Sequence, residues 1–396
     1  MVAVAQRAND ELAALTRLTL DELGGAVAGI GRIHKAVADR AFGASGPGAK
    51  PARVIHDEVA RRVYGGLRLG ASAAGRTASI AVAGRPPISG EPLGAGLIAA
   101  LDGLIGDVLE QERPALAAPM SIRVGGRVAA PTEVPAPTPR AAVFLHGLME
   151  TEFSWRQKGQ TQMSYGEGLR DLGWTPVYLR YNSGRHISSN GESLDELLDE
   201  LVAQWPVAID RIALVGHSMG GLVARSAAHR ASLRDAGWVR HVSHVVSLGT
   251  PHMGAPLEQS VHYLSAALGA LPETRPFGAF FRRRSSGIRD LRQGSLVDAD
   301  WRDCDRDALR ARACEEVPLL EGATHCFVSA TLTRDPRHPV ARVLGDCLVL
   351  VPSASGRSRT RRLAFRDEDG LHIGGASHFA LLRHPRVYEQ LRSWLA

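Results

Sequence analysis

The amino-acid sequence predicts an α/β fold with a doubly wound, mostly parallel sheet. Short apolar runs that can form buried strands, such as 141–145, 212–215 and 244–248, alternate with stretches that have the apolar spacing of helices. Glycine-containing loops directly follow several of these runs. Strands that alternate with helices in this way form parallel sheets covered on both faces. The ligand crevice of such a sheet lies at the carboxyl ends of its strands.

Length and composition are those of one large folded unit with a smaller one beside it. The chain has 396 residues, 44% of them hydrophobic, which is enough for a substantial core. The net charge of +6 would suit an anionic partner. The arginines are mostly scattered, however, and no nucleic-acid-binding module is recognisable, so we expect no nucleic-acid partner. The oligomeric state is not indicated.

The sequence carries few signals of targeting or redox state. It shows neither a signal-peptide pattern nor a run of about 18 uninterrupted apolar residues, so we expect a cytoplasmic protein. Peripheral membrane contact through the N-terminal helices remains an alternative. Thiols are expected to be reduced in that compartment, although a Cys326–Cys347 bridge is left open.

Residues 1–118 are predicted to form a helical accessory region. Apolar residues recur at helical spacing in three stretches, which begin near Thr19, Ala52 and Leu93. No constellation of catalytic side chains occurs in this region. We therefore interpret it as an accessory helical layer, with a partner-binding or regulatory role as the alternative.

The strands of the second unit can be placed by their apolar runs. Residues 255–315 lack clear strand signals, which indicates an insertion over the site, a cap or lid. Ser193, with Glu196 three residues later, is expected to cap a helix. The other predicted elements are a hairpin at 120–128, a proline-rich connector at 131–139, strands at 141–145, 175–181, 212–215, 244–248 and 326–331, a candidate last strand at 361–365, and a closing helix at 378–395.

A predicted strand, a tight turn and a predicted helix surround Ser218. The apolar run 212–215 leads into Gly216-His217-Ser218-Met219-Gly220, and helix-compatible residues follow. Gly-x-Ser-x-Gly in this context is the pattern of a nucleophile elbow, whose glycines allow helix and strand to approach closely. The sequence therefore predicts Ser218 as a nucleophile.

A serine hydroxyl needs a base that takes its proton and donors that stabilise an oxyanion. In this architecture the acid and then the histidine follow the serine along the chain. His378, after a glycine-rich loop, is the candidate base, with His372 as its main rival. The backbone N–H groups of Leu148 and Met219 are the candidate oxyanion donors.

The candidate acid is Asp346. Gly345 before it allows a sharp loop, and an ionised carboxylate there would accept the second ring N–H of the histidine. Asp335, Asp367 and Asp369 are alternatives that are more simply explained as solvated loop residues. No metal or cofactor is expected, because no His/Cys cluster has the spacing of zinc ligands.

Five segments in order resemble the α/β-hydrolase superfamily: FLHGL at 144–148, GHSMG at 216–220, LGTPHMG at 248–254, GD at 345–346 and SHFALL at 377–382. They are most similar to the lipase and esterase branch that includes the GPI inositol-deacylase-like lipases. The resemblance implies a catalytic domain at 119–396 with a cap at about 255–315, and ester hydrolysis with Ser218, Asp346 and His378 as the triad. Cys347 is a departure, since many relatives have glycine after the acid.

The expected function is a serine-dependent carboxylic-ester hydrolase. It would act on a hydrophobic, lipid-like acyl ester through an acyl-enzyme. An acyltransferase with the same triad and a non-catalytic binding protein with this fold are the alternatives.

Overall fold

The computed structural model describes residues 10, 11, 14, 87–156, 163–255, 284–303, 314–335 and 337–396. The predicted helices that begin near Thr19 and Ala52 lie outside the described residues, as do 256–283 and 304–313 of the predicted insertion. The proposed boundaries at 118 and at 255–315 therefore stay predictions.

The strands form one eight-stranded mixed sheet in the order β2-β1-β4-β3-β5-β6-β7-β8. The six strands from β4 to β8 in this order run parallel, whereas β1 pairs antiparallel with both β2 and β4. The predicted fold class and hairpin are thereby confirmed. The strands are β1 Ser121–Val124, β2 Arg127–Ala129, β3 Arg140–Leu145, β4 Trp174–Arg180, β5 Arg211–His217, β6 Val242–Leu248, β7 Thr324–Thr331 and β8 Gly370–Gly374.

Helices lie on both faces of this sheet. The α-helices are α1 Pro92–Glu112, α2 Tyr165–Arg170, α3 Ile187–Gln204, α4 Met219–Leu233, α5 Ser286–Asp290, α6 Pro339–Leu344, α7 Val351–Ala354 and α8 Pro385–Trp394. Short 3-10 helices are Ile88–Gly90, Pro131–Glu133, Glu152–Arg156, Gly237–His241, Asp298–Asp300, Asp367–Asp369 and His378–Leu382.

The core is split by the sheet because successive residues of a strand point to opposite faces. Val143 and Leu145 of β3 join the apolar cluster that includes α3 and α4. Ala142 and Phe144 join the cluster on the other face, which includes α8. All four side chains are fully buried, which explains why the strand is apolar throughout rather than alternating.

Helix α3 begins at Ile187, so the prediction of a start at Ser193 was wrong. The Ile187 N–H donates to the Asp290 carboxylate at 2.8 Å, so a residue distant in sequence satisfies the helix terminus. The Ser193 hydroxyl instead accepts from Arg185 Nη1 at 3.0 Å.

The last strand is Gly370–Gly374, and the candidate at 361–365 was wrong. Residues 370–374 pair in parallel with β7, and a side chain at Gly370 would lie 2.4 Å from the Phe327 ring. The closing helix is also interrupted: a 3-10 turn, His378–Leu382, precedes Pro385–Trp394. Pro385 explains the break, because the residue before a proline avoids the helical conformation.

Helix α1, predicted from about Leu93, packs against the loop that follows β4. Its Gly106 carbonyl accepts from Asn182 Nδ2 at 2.8 Å, and its Gly103 carbonyl accepts from Ser285 Oγ at 2.6 Å. By length and composition alone, α1 could also cross a membrane, although core helices of soluble proteins meet the same criteria. The described part of the N-terminal region thus contacts the loops at the carboxyl edge of the sheet.

Candidate active site

Ser218 occupies the sharp turn between β5 and α4, with φ +52° and ψ −119°. This positive φ is strained for a side-chain-bearing residue, at a cost of about 1–3 kcal/mol. The flanking glycines are sterically required: a Cβ at Gly216 would lie 2.4 Å from Gly221 N, and one at Gly220 would lie 2.4 Å from Leu145 O. The strand–turn–helix geometry predicted for an elbow is therefore present.

The parallel strand register brings the candidate loops to one edge of the sheet. Leu145 at the end of β3 is level with Gly216 of β5, and His217 is level with Leu248 of β6. The Ser218 N–H donates to the Leu248 carbonyl at 2.8 Å, which ties the turn to the end of β6.

Asp346 and His378 form a buried hydrogen-bonded pair. His378 Nδ1 lies 2.8 Å from Asp346 Oδ2, and both residues are 1% exposed. The other carboxylate oxygen, Oδ1, accepts from the N–H groups of Leu348 at 3.0 Å and Val349 at 2.8 Å. The His378 N–H donates to the Asp346 carbonyl at 2.9 Å. Backbone amides therefore fix the carboxylate, and the carboxylate fixes the imidazole.

His378 lies beside the elbow. A Cβ added at Gly249, directly after Leu248, would be 3.1 Å from His378 Cε1. The ring centroids of His217 and His378 are 4.7 Å apart. His378 Nε2 is buried and has no hydrogen-bond partner among the described residues. The structure thus brings Ser218, Asp346 and His378 together at one edge of the sheet, with Nε2 of His378 unpartnered among the described residues.

The surroundings of His378 have opposing effects on its pKa. Burial lowers the pKa, but the charge of Asp346, the hydrogen bond to it and the charge of Glu150 together raise the pKa above its usual value. A raised pKa indicates that the imidazolium, which forms when the ring takes up a proton, is stabilised at this position.

The loop after β3 leaves one amide unsatisfied. The Gly147 N–H donates to Glu150 Oε2 at 2.8 Å, the Met149 N–H to Ser183 Oγ at 3.1 Å, and the Glu150 N–H to the Gly147 carbonyl at 3.3 Å. The Leu148 N–H has no acceptor in the described ranges. Its neighbours in the loop are thus held by hydrogen bonds while Leu148 stays available to a ligand.

The Met219 amide is the second available donor. It is the first residue of α4, and the Ser218 side chain does not cap this helix end. A Cβ at Gly147 would lie only 3.1 Å from Ser218 Cβ, so the loop after β3 abuts the serine. Two backbone donors therefore flank Ser218, as expected of an oxyanion site.

His372 is not placed to be the base. It lies on β8, where Nδ1 is 3.0 Å from Ser329 Oγ and Nε2 is 3.2 Å from Thr331 Oγ1. Both ring nitrogens are thus engaged by hydroxyls, and no carboxylate among these contacts could orient the ring.

The alternative acids contact a backbone amide or an arginine side chain. Asp335 accepts from the Arg337 N–H at 2.8 Å, and Asp369 lies 2.7 Å from Arg366 Nε. Asp367 pairs with an arginine on the surface. Asp346 is the candidate acid that hydrogen-bonds a histidine ring.

His146 forms hydrogen bonds with the backbone next to the site. Its Nδ1 lies 2.8 Å from the Gly147 carbonyl, and its Nε2 accepts from the Tyr181 N–H at 3.2 Å. Burial lowers the pKa of His146, which agrees with a neutral ring that donates at one nitrogen and accepts at the other.

Sequence reasoning missed Glu150. Its carboxylate is 3.0 Å from His217 Nδ1, and both side chains are buried. No spacing rule would have found it, because the pair joins positions 67 residues apart.

The described ranges contain free cysteines and no cluster of side chains that could ligate a metal ion. No group of three or more His, Cys, Asp or Glu residues there could hold a metal ion. Cys326 and Cys347 are free thiols, as is Cys314, so the bridge that the sequence left open is not formed.

An eight-stranded mixed sheet with an elbow after β5 defines the α/β-hydrolase fold. Residues 178–301 match the family model described as the PGAP1-like alpha/beta domain. That segment is similar to this α/β-hydrolase domain, which agrees with the resemblance seen in the sequence motifs; membership of the lipase and esterase branch stays a prediction. The matched segment contains Ser218 but neither Asp346 nor His378.

Solved structures of lipases match this chain at low identity and low TM-scores. The Bacillus licheniformis lipase BlEst2 in its propeptide form is 17% identical with a TM-score of 0.41, over 65% of this chain and 50% of that one. Its mature form is 17% identical with a TM-score of 0.40, over 66% and 93%. The Legionella pneumophila phospholipase PlaB is 14% identical with a TM-score of 0.39, over 64% and 59%.

These similarities carry no functional inference at such TM-scores. The chain spans half of the length of the propeptide-form lipase. No curated protein matches the sequence.

Proposed function

We propose that this chain is a serine-dependent carboxylic-ester hydrolase that acts on a hydrophobic acyl ester through an acyl-enzyme. One observation carries the proposal. The buried Asp346–His378 pair, with Nε2 of the histidine unpartnered, lies beside a serine in a strained elbow. The pair supplies an oriented base and its acid beside the serine, which supports activation of the serine hydroxyl.

Acylation begins when Ser218 Oγ attacks the ester carbonyl carbon. The hydroxyl proton passes to His378 Nε2, and Asp346 stabilises the resulting imidazolium through Nδ1–H. The carbonyl oxygen becomes negatively charged, and the N–H groups of Leu148 and Met219 donate to it. The bond to the alcohol oxygen then breaks, and that oxygen takes the proton from Nε2.

Deacylation repeats these steps with water as the nucleophile. His378 Nε2 removes a proton from water as its oxygen bonds to the acyl carbon. The tetrahedral intermediate collapses, the carboxylic acid leaves, and Ser218 Oγ regains a proton from Nε2. One donor of this kind is worth about 10²–10³-fold in rate, so the free Leu148 amide is a substantial part of the proposal.

A hydrophobic substrate is supported by an apolar residue beside the site. Phe379 follows His378, is 43% exposed, and has its ring centroid 5.6 Å from that of His378. An exposed aromatic ring next to the base provides apolar surface that an acyl chain could cover.

A panel of p-nitrophenyl esters graded by acyl chain length tests the proposal. We expect the wild type to prefer chains longer than acetate, and Ser218→Ala to lower kcat/KM by at least about 10⁴-fold. Ser232→Ala, later in the same helix, is the matched control and should retain activity. Thermal unfolding of both variants would show that they are folded. Turnover by folded Ser218→Ala within tenfold of the wild type would contradict the proposal.

A further inference from the structure

A buried carboxylate joins the loop after β3 to the elbow. Glu150 Oε2 accepts from the Gly147 N–H at 2.8 Å and lies 3.0 Å from His217 Nδ1. The His217 side chain is fully buried, and that of Glu150 is 7% exposed. Glu150 therefore contacts both the loop that carries the Leu148 amide and the residue directly before Ser218.

The histidine extends this contact to the candidate base. His217 Nε2 lies 3.3 Å from the His378 carbonyl oxygen. Since the His378 N–H already donates to the Asp346 carbonyl, the backbone of His378 is held on both sides. A single path of hydrogen bonds thus runs from Gly147 through Glu150 and His217 to His378.

The geometry defines the donor and the acceptor of this pair. Burial raises the pKa of Glu150, but the charge of His217 and the hydrogen bonds from His217 and the Gly147 amide outweigh it and lower the pKa. The ionised carboxylate only accepts, so His217 Nδ1 donates to it.

We infer that Glu150 and His217 are a positioning pair, which holds the oxyanion loop and the backbone of His378 in register around Ser218. The inference rests on the proposed function, because the elements that it aligns are the candidate oxyanion donor, nucleophile and base. Neither side chain exchanges a proton with substrate.

An apolar pair would fill the same space at lower cost. A buried carboxylate and its polar partner lose their hydration, and a well-packed apolar replacement is often equally or more stable. Unlike apolar contacts, the hydrogen bonds of this pair are directional, and each partner makes one to a loop of the site. A displacement of about 1 Å at such a loop can cost about 10²-fold in rate.

Ionisable groups face both members of the pair. His217 faces Glu150 and His378, with Trp155 and Phe379 as apolar ring neighbours. Glu150 also interacts with His146 and Tyr181. The charges that act on His378 are those of Asp346 and Glu150. Removing the Glu150 charge should therefore be visible in the titration of His378.

Two substitutions separate charge from hydrogen bonding. Glu150→Gln keeps the shape and an oxygen that can accept from the Gly147 amide, but removes the charge. His217→Phe keeps a ring against Trp155 and Phe379 but makes no hydrogen bond. Both variants are compared with the wild type on the ester that the full-length protein turns over fastest.

We expect Glu150→Gln to lower kcat about tenfold with KM within about twofold of wild type. The acid limb of its kcat/KM profile should move to lower pH, because the charge that raises the pKa of His378 is gone. His217→Phe should lower kcat by about 10²-fold. The double variant should be no slower than His217→Phe, because partners that act as a unit are not additive.

Glu152→Gln is the matched control. Glu152 is also a buried glutamate, but it pairs with Arg180 Nε at 2.6 Å rather than with a histidine. Its replacement should lower the unfolding temperature and leave the acid limb of kcat/KM where it is in the wild type. A shift of that limb equal to the shift in Glu150→Gln would overturn the inference.

Histidine-selective ¹⁵N NMR of the full-length protein tests the pair without an activity assay. We expect His217, identified by its loss in His217→Phe, to carry a proton on Nδ1 that is hydrogen-bonded to Glu150, and the resonance of that Nδ1–H group to shift in Glu150→Gln. A wild-type His217 without a proton on Nδ1, or unchanged kcat and acid limb in both single variants, would overturn the inference. Absence of Ser218-dependent turnover would instead refute the proposed function, and the NMR result would still decide whether the pair exists.

Discussion

Replacing Asp346 by asparagine tests the acid with an almost unchanged shape. In the wild type, Oδ1 accepts from the Leu348 and Val349 amides, while Oδ2 accepts from His378 Nδ1. An asparagine that turned its NH₂ group toward the two amides would lose two hydrogen bonds, each worth about 0.5–1.5 kcal/mol. Its oxygen should therefore keep facing the amides, and its NH₂ group should face the imidazole.

That orientation reverses the tautomer of His378. An NH₂ group donates, so Nδ1 must accept and the ring proton must sit on Nε2, which then cannot take the proton of Ser218. The imidazolium also loses its carboxylate partner. A rate loss of about 10⁴-fold is expected for a change of this kind, which is about 5 kcal/mol of transition-state stabilisation.

The assay is kcat/KM for the best p-nitrophenyl ester near pH 8, together with thermal unfolding. Asp367→Asn is the control, because that carboxylate is 77% exposed and contacts a surface arginine; it should keep wild-type activity. A folded Asp346→Asn variant within about tenfold of wild type, or a large loss in Asp367→Asn, would refute the assignment of the acid.

Two further variants test the loops around the site. Cys347→Gly should raise the free energy of unfolding by about 1 kcal/mol, because Cys347 has φ +97° and glycine adopts such angles without strain. Urea titrations measure this change. A free energy of unfolding below that of the wild type would show that the side-chain contacts of Cys347 outweigh the strain. Gly103→Val in α1 should lower kcat at least about tenfold by displacing the oxyanion loop, since a Cβ there would lie 2.3 Å from Met149 Cγ. Gly96→Val, where a Cβ meets nothing within 4 Å, is its control, and equal losses in both would contradict a steric effect on the loop.

The parts of the fold and site that sequence predicted depend on local signals. The Gly-x-Ser-x-Gly turn requires close approach at both glycines, so its residues alone indicate the geometry at Ser218. His378 and Asp346 were identified from loop glycines and chain order, and the structure brings them together at 2.8 Å. Their catalytic roles remain predictions.

The parts that sequence missed depend on contacts between distant positions. The start of α3 is set by Asp290, 103 residues away from Ile187. The Glu150–His217 pair spans 67 residues. In each case a polar group is hydrogen-bonded to a partner that no periodicity or capping rule can locate. The capping pattern at Ser193 therefore predicted the wrong helix start.

The distribution of backbone strain provides a separate argument for the location of the site. Among the described residues, six other than glycine have positive φ. Ala136, Asp235 and Asp303 are exposed and lie in bends or turns, where strain is easily accommodated. The other three are Met149, Ser218 and Cys347, one in each of the loops that carry the candidate oxyanion donor, nucleophile and acid.

Strain of about 1–3 kcal/mol per residue persists only where the surroundings enforce the conformation. At Met149 a hydrogen bond from its own amide to Ser183 Oγ does so, and at Ser218 its amide donates to the Leu248 carbonyl. At Cys347 its amide donates to the Leu344 carbonyl at 2.9 Å. These loops therefore maintain their geometry against local preference, which supports the proposed location of the site.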